Sequence, residues 1–346
     1  MAEITVPSPQ FRLTYEQKDI TAELAPFLLQ ISYTDQLSGE SDELEVVIED
    51  RDSRWKNGWF PGKGDRMRLE IGYAGKALAG MGSFAIDEIE FSGPPDTITI
   101  RALAAGVKEA LRTDNSNAFE GSSLQDIAAS VADKHGLKLV GSGDALGRTY
   151  ARVTQHGETD LGFLNRLGAA EGIVFSIKEG QLVWHDQGKL DAAGAIIVIR
   201  RTDMLNFSIR AKTATTYQAC QVSYHDPQSK SLISHTEQAA EAPSGDTLKI
   251  VERCETSDQA QKKAQAALRK ANGNQVEGNC QVYGDARIRA GCNVELQGLG
   301  LLDGPYQIKL ARHCLDRGGG YITEVELATS TGQNKNLRNL RNEERQ

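Results

Sequence analysis

"GSFAIDEIEF" at residues 82–91 returns far along the chain as "GPYQIKLARH" at 304–313. Both stretches open on Gly, place an aromatic ring two residues on (Phe84, Tyr306) and an Ile two after that (Ile86, Ile308). Outward from this pair the likeness continues. "KGDRMRLEIGY", led by Gly64, precedes the first stretch and "AGCNVELQGLG", led by Gly291, precedes the second. The alternating segments "DTITIRAL" and "GGYITEVELA" then close each series. Three strand-like segments in the same order, twice, predict two copies of one β module with other material between them.

The remaining segments fill in that plan. Residues 1–112 are expected to form the first β module: in "DELEVVIED" Leu44, Val46 and Ile48 keep the period of two of a strand with one buried face. Apolar parity slips between Ile86 and Ile89, which predicts a β-bulge, and Pro94-Pro95 turns the chain. Residues 113–200 read as an α+β insertion. There Ser122 and Gln125 resemble a capping box, Leu124, Ile127, Ala128 and Val131 share a helix face, and Gly136 ends it. A second helix is expected from the Thr159 cap to Gly172, then a hairpin turning at Glu179-Gly180. Residues 201–330 are expected to form the second β module, with an inserted helix at 256–272 capped by Thr256. That helix carries a stripe of small residues (Ala260, Ala264, Ala267, Leu268, Ala271) suited to packing on something flat. Residues 331–346 read as a polar, solvated tail.

Bulk properties exclude several functions. At 346 residues the chain exceeds what one hydrophobic core organises, so more than one domain is expected. A formal charge of -8 argues against a nucleic-acid-wrapping surface and sequence-specific nucleic-acid recognition. No basic and apolar leader opens the chain, and its longest apolar run, "AAGAIIVI", is far too short for a membrane helix. Synthesis in the bacterial cytoplasm without stable membrane insertion is the expectation. The five cysteines (Cys220, Cys254, Cys280, Cys292, Cys314) lack CxxC spacing and read as reduced strand residues.

Signs of chemistry are weak. "GSGDALGRT" has one residue too many between Gly141 and Gly147 for a phosphate loop, and Arg148 in place of Lys. Glu158 and Asp160 form a pair of carboxylates that a glycosidase could use, but a helix start accounts for both, and 6% aromatic content offers little to bind sugar. The six histidines lack zinc-site spacing and read as surface or core residues. No catalytic, metal or cofactor residue is expected. Trp55, Trp59 and Phe60 in "RWKNGWFPGKG" suit an interface or a barrel-end plug.

"ETDLGFLNRLGAAEGIVFSIKEGQLVW" resembles the phage late control D protein family and the matching segment of the valine-glycine repeat proteins of type VI secretion. "WKNGWFPGKGDRMRLEIGY" and the series from "SDQAQKKAQAALRK" to "GGGYITEVELA" extend the resemblance over roughly residues 1–330. It implies a mainly β fold with an α+β insertion and two tube-protein-like barrel modules, pseudo-six-fold when trimeric. The implied function is that of a baseplate hub in a contractile phage tail, tailocin or related injection machine. Its implied partners are two further copies of itself, the tail tube protein, a separate spike protein and other baseplate proteins. Under that reading Glu45, Glu49, Glu88 and Glu90 are candidates to line a bore, with an outer solvated face as the alternative. A baseplate-associated cell-wall (peptidoglycan) hydrolase and a monomeric carbohydrate-binding β protein are the competing classes.

Overall fold

A computed structural model describes residues 7–38, 41–104, 113–141, 145–212, 217–226, 231–239, 245–251, 254, 257–273, 276–318 and 320–329. The chain begins with β1 (Pro9–Tyr15), β2 (Lys18–Asp19) and the one-turn helix α1 (Thr21–Leu24). β3 (Leu28–Gln36), β4 (Glu43–Glu49), β5 (Arg66–Tyr73), β6 (Ala79–Ser92) and β7 (Thr97–Ala104) follow. They assemble in the order β1-β5-β6-β7-β4-β3. The predicted alternation holds: Leu44, Val46 and Ile48 bury one face of β4 among Met67, Leu69, Ile71, Phe84 and Ile100. Burying each such side chain stabilises by about 1.5–3 kcal/mol.

Next come β8 (Asp114–Ser123), α2 (Leu124–His135), β9 (Lys138–Gly141), β10 (Thr149–Thr159), α3 (Asp160–Glu171), β11 (Ile173–Lys178), β12 (Gln181–Asp186) and α4 (Gln187–Ala192). They form a small two-stranded and a small three-stranded sheet around a core of their own, with Leu124, Ile127, Phe163, Leu164, Phe175 and Trp184 at its centre. Thr159 caps α3, its Oγ1 accepting the Gly162 N–H at 3.0 Å, and Glu179-Gly180 turns the hairpin with both residues at positive φ, as expected. The cap of α2 is Ser123, one residue later than the sequence suggested. Its Oγ accepts the Asp126 N–H at 3.1 Å while the Asp126 carboxylate accepts the Ser123 N–H at 2.9 Å. A carboxylate closes this reciprocal box and also faces the positive helix end, which a neutral Gln125 does not do.

The rest comprises β13 (Ala195–Arg200), β14 (Met204–Ala211), β15 (Ala219–Asp226), β16 (Ser231–Gln238), β17 (Thr247–Val251), α5 (Ser257–Gly273), β18 (Val276–Tyr283), β19 (Asn293–Gln297), β20 (Gly304–Asp316) and β21 (Gly320–Thr329). β13, β14 and β18 to β21 join the large sheet in the order β13-β19-β20-β21-β18-β14. β15, β16 and β17 leave it to form their own sheet, on which α5 lays Ala260, Ala264 and Leu268 against Cys220 and Val222. The expected flat support for that stripe is therefore present, while its expected cap Thr256 lies outside the described residues.

The two series of strands match one to one along the sheet: β1, β5, β6, β7, β4, β3 against β13, β19, β20, β21, β18, β14. Finer details match too. Gly64 and Gly291 stand at φ 85° and 86°, a left-handed conformation that favours Gly. Each donates its N–H to an Ile carbonyl, that of Ile86 at 2.7 Å and of Ile308 at 2.8 Å. The register slips at Asp87 in β6 and at Lys309 in β20, and again at Leu29 in β3 and Leu205 in β14. The slip at Asp87 is the bulge that the parity change between Ile86 and Ile89 predicted. One difference is that β1 runs antiparallel to β5 whereas β13 runs parallel to β19. The modules meet where the far half of β20 pairs with β3, so a single curled sheet runs through both. The protein is mainly β with an α+β insertion.

Candidate assembly surface

Side chains alternate across a strand, so the face of the large sheet opposite its core is made by the other half of each strand. On β4 this half is Glu43, Glu45, Val47 and Glu49. Glu45, Glu88 and Glu90 come from β4 and β6 but converge on Arg101 of β7: its Nε lies 3.0 Å from Glu45, Nη1 3.1 Å from Glu88 and Nη2 3.4 Å from Glu90. Three carboxylates around one guanidinium leave this patch net acidic. Glu49 lies apart from it. The Arg51 guanidinium at 2.6 Å, helped by Arg317 at 3.3 Å, holds its carboxyl below the usual range. All four candidate glutamates are thus placed, three of them in one cluster.

The aromatic turn between β4 and β5 is organised by buried Asp50, whose carboxylate accepts the N–H of Trp55 at 3.0 Å and of Lys56 at 3.2 Å. Trp55 is 6% exposed and packs edge-on to Phe27 and Trp59. It therefore supports the turn from below. Trp59 and Phe60 stay 43% and 52% exposed, and the Arg54 guanidinium lies 4.8 Å over the Trp59 ring. Sequence reasoning missed Phe91, 47% exposed at the far end of β6 with Lys56 over its ring at 5.2 Å. Its signal was an aromatic residue beyond a bulge, next to Pro94-Pro95.

The other expected residues hold structure together. Asp160 is buried: burial pushes its carboxyl up, but Lys134 at 2.7 Å, Gln155 at 2.8 Å and His135 at 2.7 Å outweigh that and hold it below the usual range. Arg166 holds Glu158 low in the same way. Neither carboxyl is pushed toward the protonated state that a general acid needs at neutral pH. Arg148 binds Glu171 and lies 2.9 Å from Asp258, pinning α3 to α5, and part of the phosphate-loop-like run lies outside the described residues. His313 is buried as a satisfied core histidine: its ring nitrogens lie 2.8 Å from the Tyr321 hydroxyl and 3.0 Å from the Ile288 carbonyl. Among the described residues no three His, Cys, Asp or Glu side chains cluster as for a metal, and no helix is long and apolar enough to cross a membrane.

The candidate surface is thus a polar, net acidic sheet face beside the exposed rings of Trp59, Phe60 and Phe91. The probable baseplate hub protein of Escherichia phage 186 is 31% identical over 183 residues, 52% of this chain and 46% of that protein. This chain thus spans about half the length of that curated relative. The 43 kDa tail protein of prophage MuSo2 from Shewanella oneidensis shares the fold with a TM-score of 0.68 at 17% identity, over 92% of this chain and 98% of the other. A component of the Escherichia coli type VI secretion system, described as similar in structure to the T4 tail proteins gp27 and gp5, superimposes with a TM-score of 0.58 at 12% identity, over 88% and 74%. The sequence profile of the phage tail baseplate hub (GPD) family matches residues 88–318, and the chain belongs to that family.

Proposed function

We infer that the chain is a non-enzymatic structural hub, a homotrimer that seats a six-fold tail tube on a three-fold spike carried by a separate polypeptide, with other baseplate proteins around it. The reading rests above all on the doubled module, with its matched strand order, matched bulges and paired Gly64–Ile86 and Gly291–Ile308 hydrogen bonds. Three chains then offer six copies of one unit. With one module per chain, half the docking positions of a six-fold partner would go unmatched, each forfeiting an interface of about 1,600 Å².

Within this reading residues 1–112 and 201–330 are the two modules and 113–200 the insertion, with β13 returned to the sheet and β15–β17 with α5 built onto the second module. The face carrying Glu45, Glu49, Glu88 and Glu90 lines the bore, where its acidic excess keeps phosphate from sticking. Trp59 and Phe60, braced by Trp55, meet a neighbouring protein. Light scattering on the purified chain tests the central claim. A trimer that binds rings of tail tube protein is expected, and a chain that stays monomeric at micromolar concentration and ignores tube protein would sink it.

A further inference from the structure

A cavity of about 670 Å³ lies where the insertion, α5 and the seam between β20 and β3 come together. Its apolar wall is made by Ile173 and Val174 of β11, Ala266 of α5 and Leu37 just past β3. A volume of this size, apolar walls and a few polar groups are the usual attributes of a small-molecule pocket.

Three cations line it, and among the described residues none is held by a carboxylate at hydrogen-bond distance. Lys309 stands at the β20 bulge, half-buried, and its ammonium donates to the neutral Gln307 side-chain oxygen. Burial pushes that ammonium's pKa down, with Asp191 opposing from farther off. The Arg269 guanidinium passes between Gly172 and Gly188, where a Cβ on either would stand 3.3 Å from one of its nitrogens. Asp191 approaches it only to 3.9 Å. Lys270 is exposed at the rim and forms no ion pair among the described residues. Gln187 links the first two cations: its Nε2 lies 2.6 Å from Asp191 and 2.9 Å from the Gln307 oxygen that Lys309 also uses.

The balance of the cavity favours an anion. Arg166 in its wall is taken up by Glu158, which leaves Lys309, Arg269 and Lys270 against Asp191 and Glu326. Two sealed amide donors here, Asn165 Nδ2 and Gln307 Nε2, have no acceptor among the described residues, against one such acceptor, Asn293 Oδ1 opposite Gln307. A chain with a formal charge of -8 thus gathers surplus positive charge in one recess. Charge held away from water is costly until a partner of opposite sign joins it.

We propose that this cavity binds a small phosphate monoester, its phosphate between Lys309 and Arg269 with Lys270 at the rim, and its organic part on Leu37, Ile173, Val174 and Ala266. Arginine offers paired N–H donors that match phosphate oxygens, and Lys309 keeps two N–H donors beyond the one given to Gln307. Because Arg269 comes from the outgrowth on the second module, Lys309 from its sheet and Ile173 from the insertion, the bound molecule ties these three parts together. The site lies within one chain and does not depend on the trimeric reading.

Titration calorimetry on the full chain at constant ionic strength, with phenyl phosphate and inorganic phosphate as probes, tests the site. Phenyl phosphate should bind at least about tenfold tighter than inorganic phosphate, since a buried ring adds apolar contact. Lys309→Met and Arg269→Gln should each weaken phenyl phosphate at least about tenfold, the loss expected for one charge-assisted hydrogen bond. Lys63→Gln, on an exposed turn of the first module, should change nothing. If Lys309→Met does not fold, Arg269→Gln carries the comparison, because that side chain is one-third exposed. A wild-type chain that takes up no phenyl phosphate at millimolar concentration overturns the proposal, as does binding that Arg269→Gln leaves unchanged. Equal affinity for the two probes overturns the placement of the organic part.

Discussion

Lys178, at the tip of the β11–β12 hairpin, donates to Asp42 in the first module and with the same ammonium to Asp35. It also donates to the Gln36 carbonyl at 2.9 Å, while Asp35 accepts the Ala290 N–H of the second module at 3.1 Å. One cation thus ties the insertion to the joint between the modules. Both carboxylates are buried, and burial pushes that of Asp42 up against the pull of Lys178.

Removing that cation strands two buried carboxylates. Lys178→Met is expected to lower stability by about 3–5 kcal/mol. Adding Asp35→Asn and Asp42→Asn should return most of it. Denaturant titration of the three proteins measures this, and a Lys178→Met midpoint equal to wild type would contradict the arrangement.

His313 gives the seam between modules an acid limit. Burial pushes its imidazole down to about 4, Arg289 adding to that effect while the Ile288 carbonyl, Asp35 and Asp285 oppose it. The unfolded chain, with its histidine near 6.5, takes up the proton first. Stability is therefore full above pH 6.5 and falls as pH drops toward 4, by up to about 3 kcal/mol. His313→Gln should be less stable at pH 7 but lose this slope, and thermal melts across pH 4–7 will compare the two.

Gly64 and Gly291 hold the same conformation in different surroundings. A Cβ on Gly64 would meet nothing within 4 Å, whereas one on Gly291 would lie 3.1 Å from Leu37 Cδ1. Alanine at Gly64 should cost about 1–2 kcal/mol from backbone strain alone. At Gly291 the same strain is joined by the push on Leu37, so the loss should be larger. Equilibrium unfolding of both variants ranks them, and a costless Gly64→Ala would deny the strain.

Reversing charge on the polar face tests the proposal that this face lines a bore. Glu45→Lys with Glu88→Lys leaves Arg101 with Glu90 as the remaining carboxylate of the cluster, at a half-exposed site where the effect on folding is at most about 1 kcal/mol. In a virion that ejects DNA through this hub, the added lysines should slow ejection at least tenfold. An unchanged ejection rate puts that face on the outside.

Much of the fold was legible because it is written locally. The repeated Gly, aromatic and Ile pattern follows from one bend and one packing position used twice, and the bulge at Asp87 appears as a parity slip. Alternation, however, reports which face of a strand is buried and not which strand lies beside it. "ACQVSYHD" and "TLKIV" alternate as well as any segment here, yet they pair with each other away from the large sheet. The site was read in fragments for the same reason. Glu45, Glu88 and Glu90 were visible singly, but their meeting at Arg101, like that of Lys178 with Asp35 and Asp42, joins residues that only the folded chain brings together.

The two modules differ most at one bend. Residues 37–42 carry β3 into β4, whereas between β14 and β18 lie the β15–β17 sheet and α5. In a closed assembly of three chains every second position around the circumference would carry that outgrowth. A surface that looks six-fold to whatever grips the strands would look three-fold to whatever touches the bends, and in the trimer proposed above the switch between the two symmetries would need no adaptor beyond this unequal pair of connections.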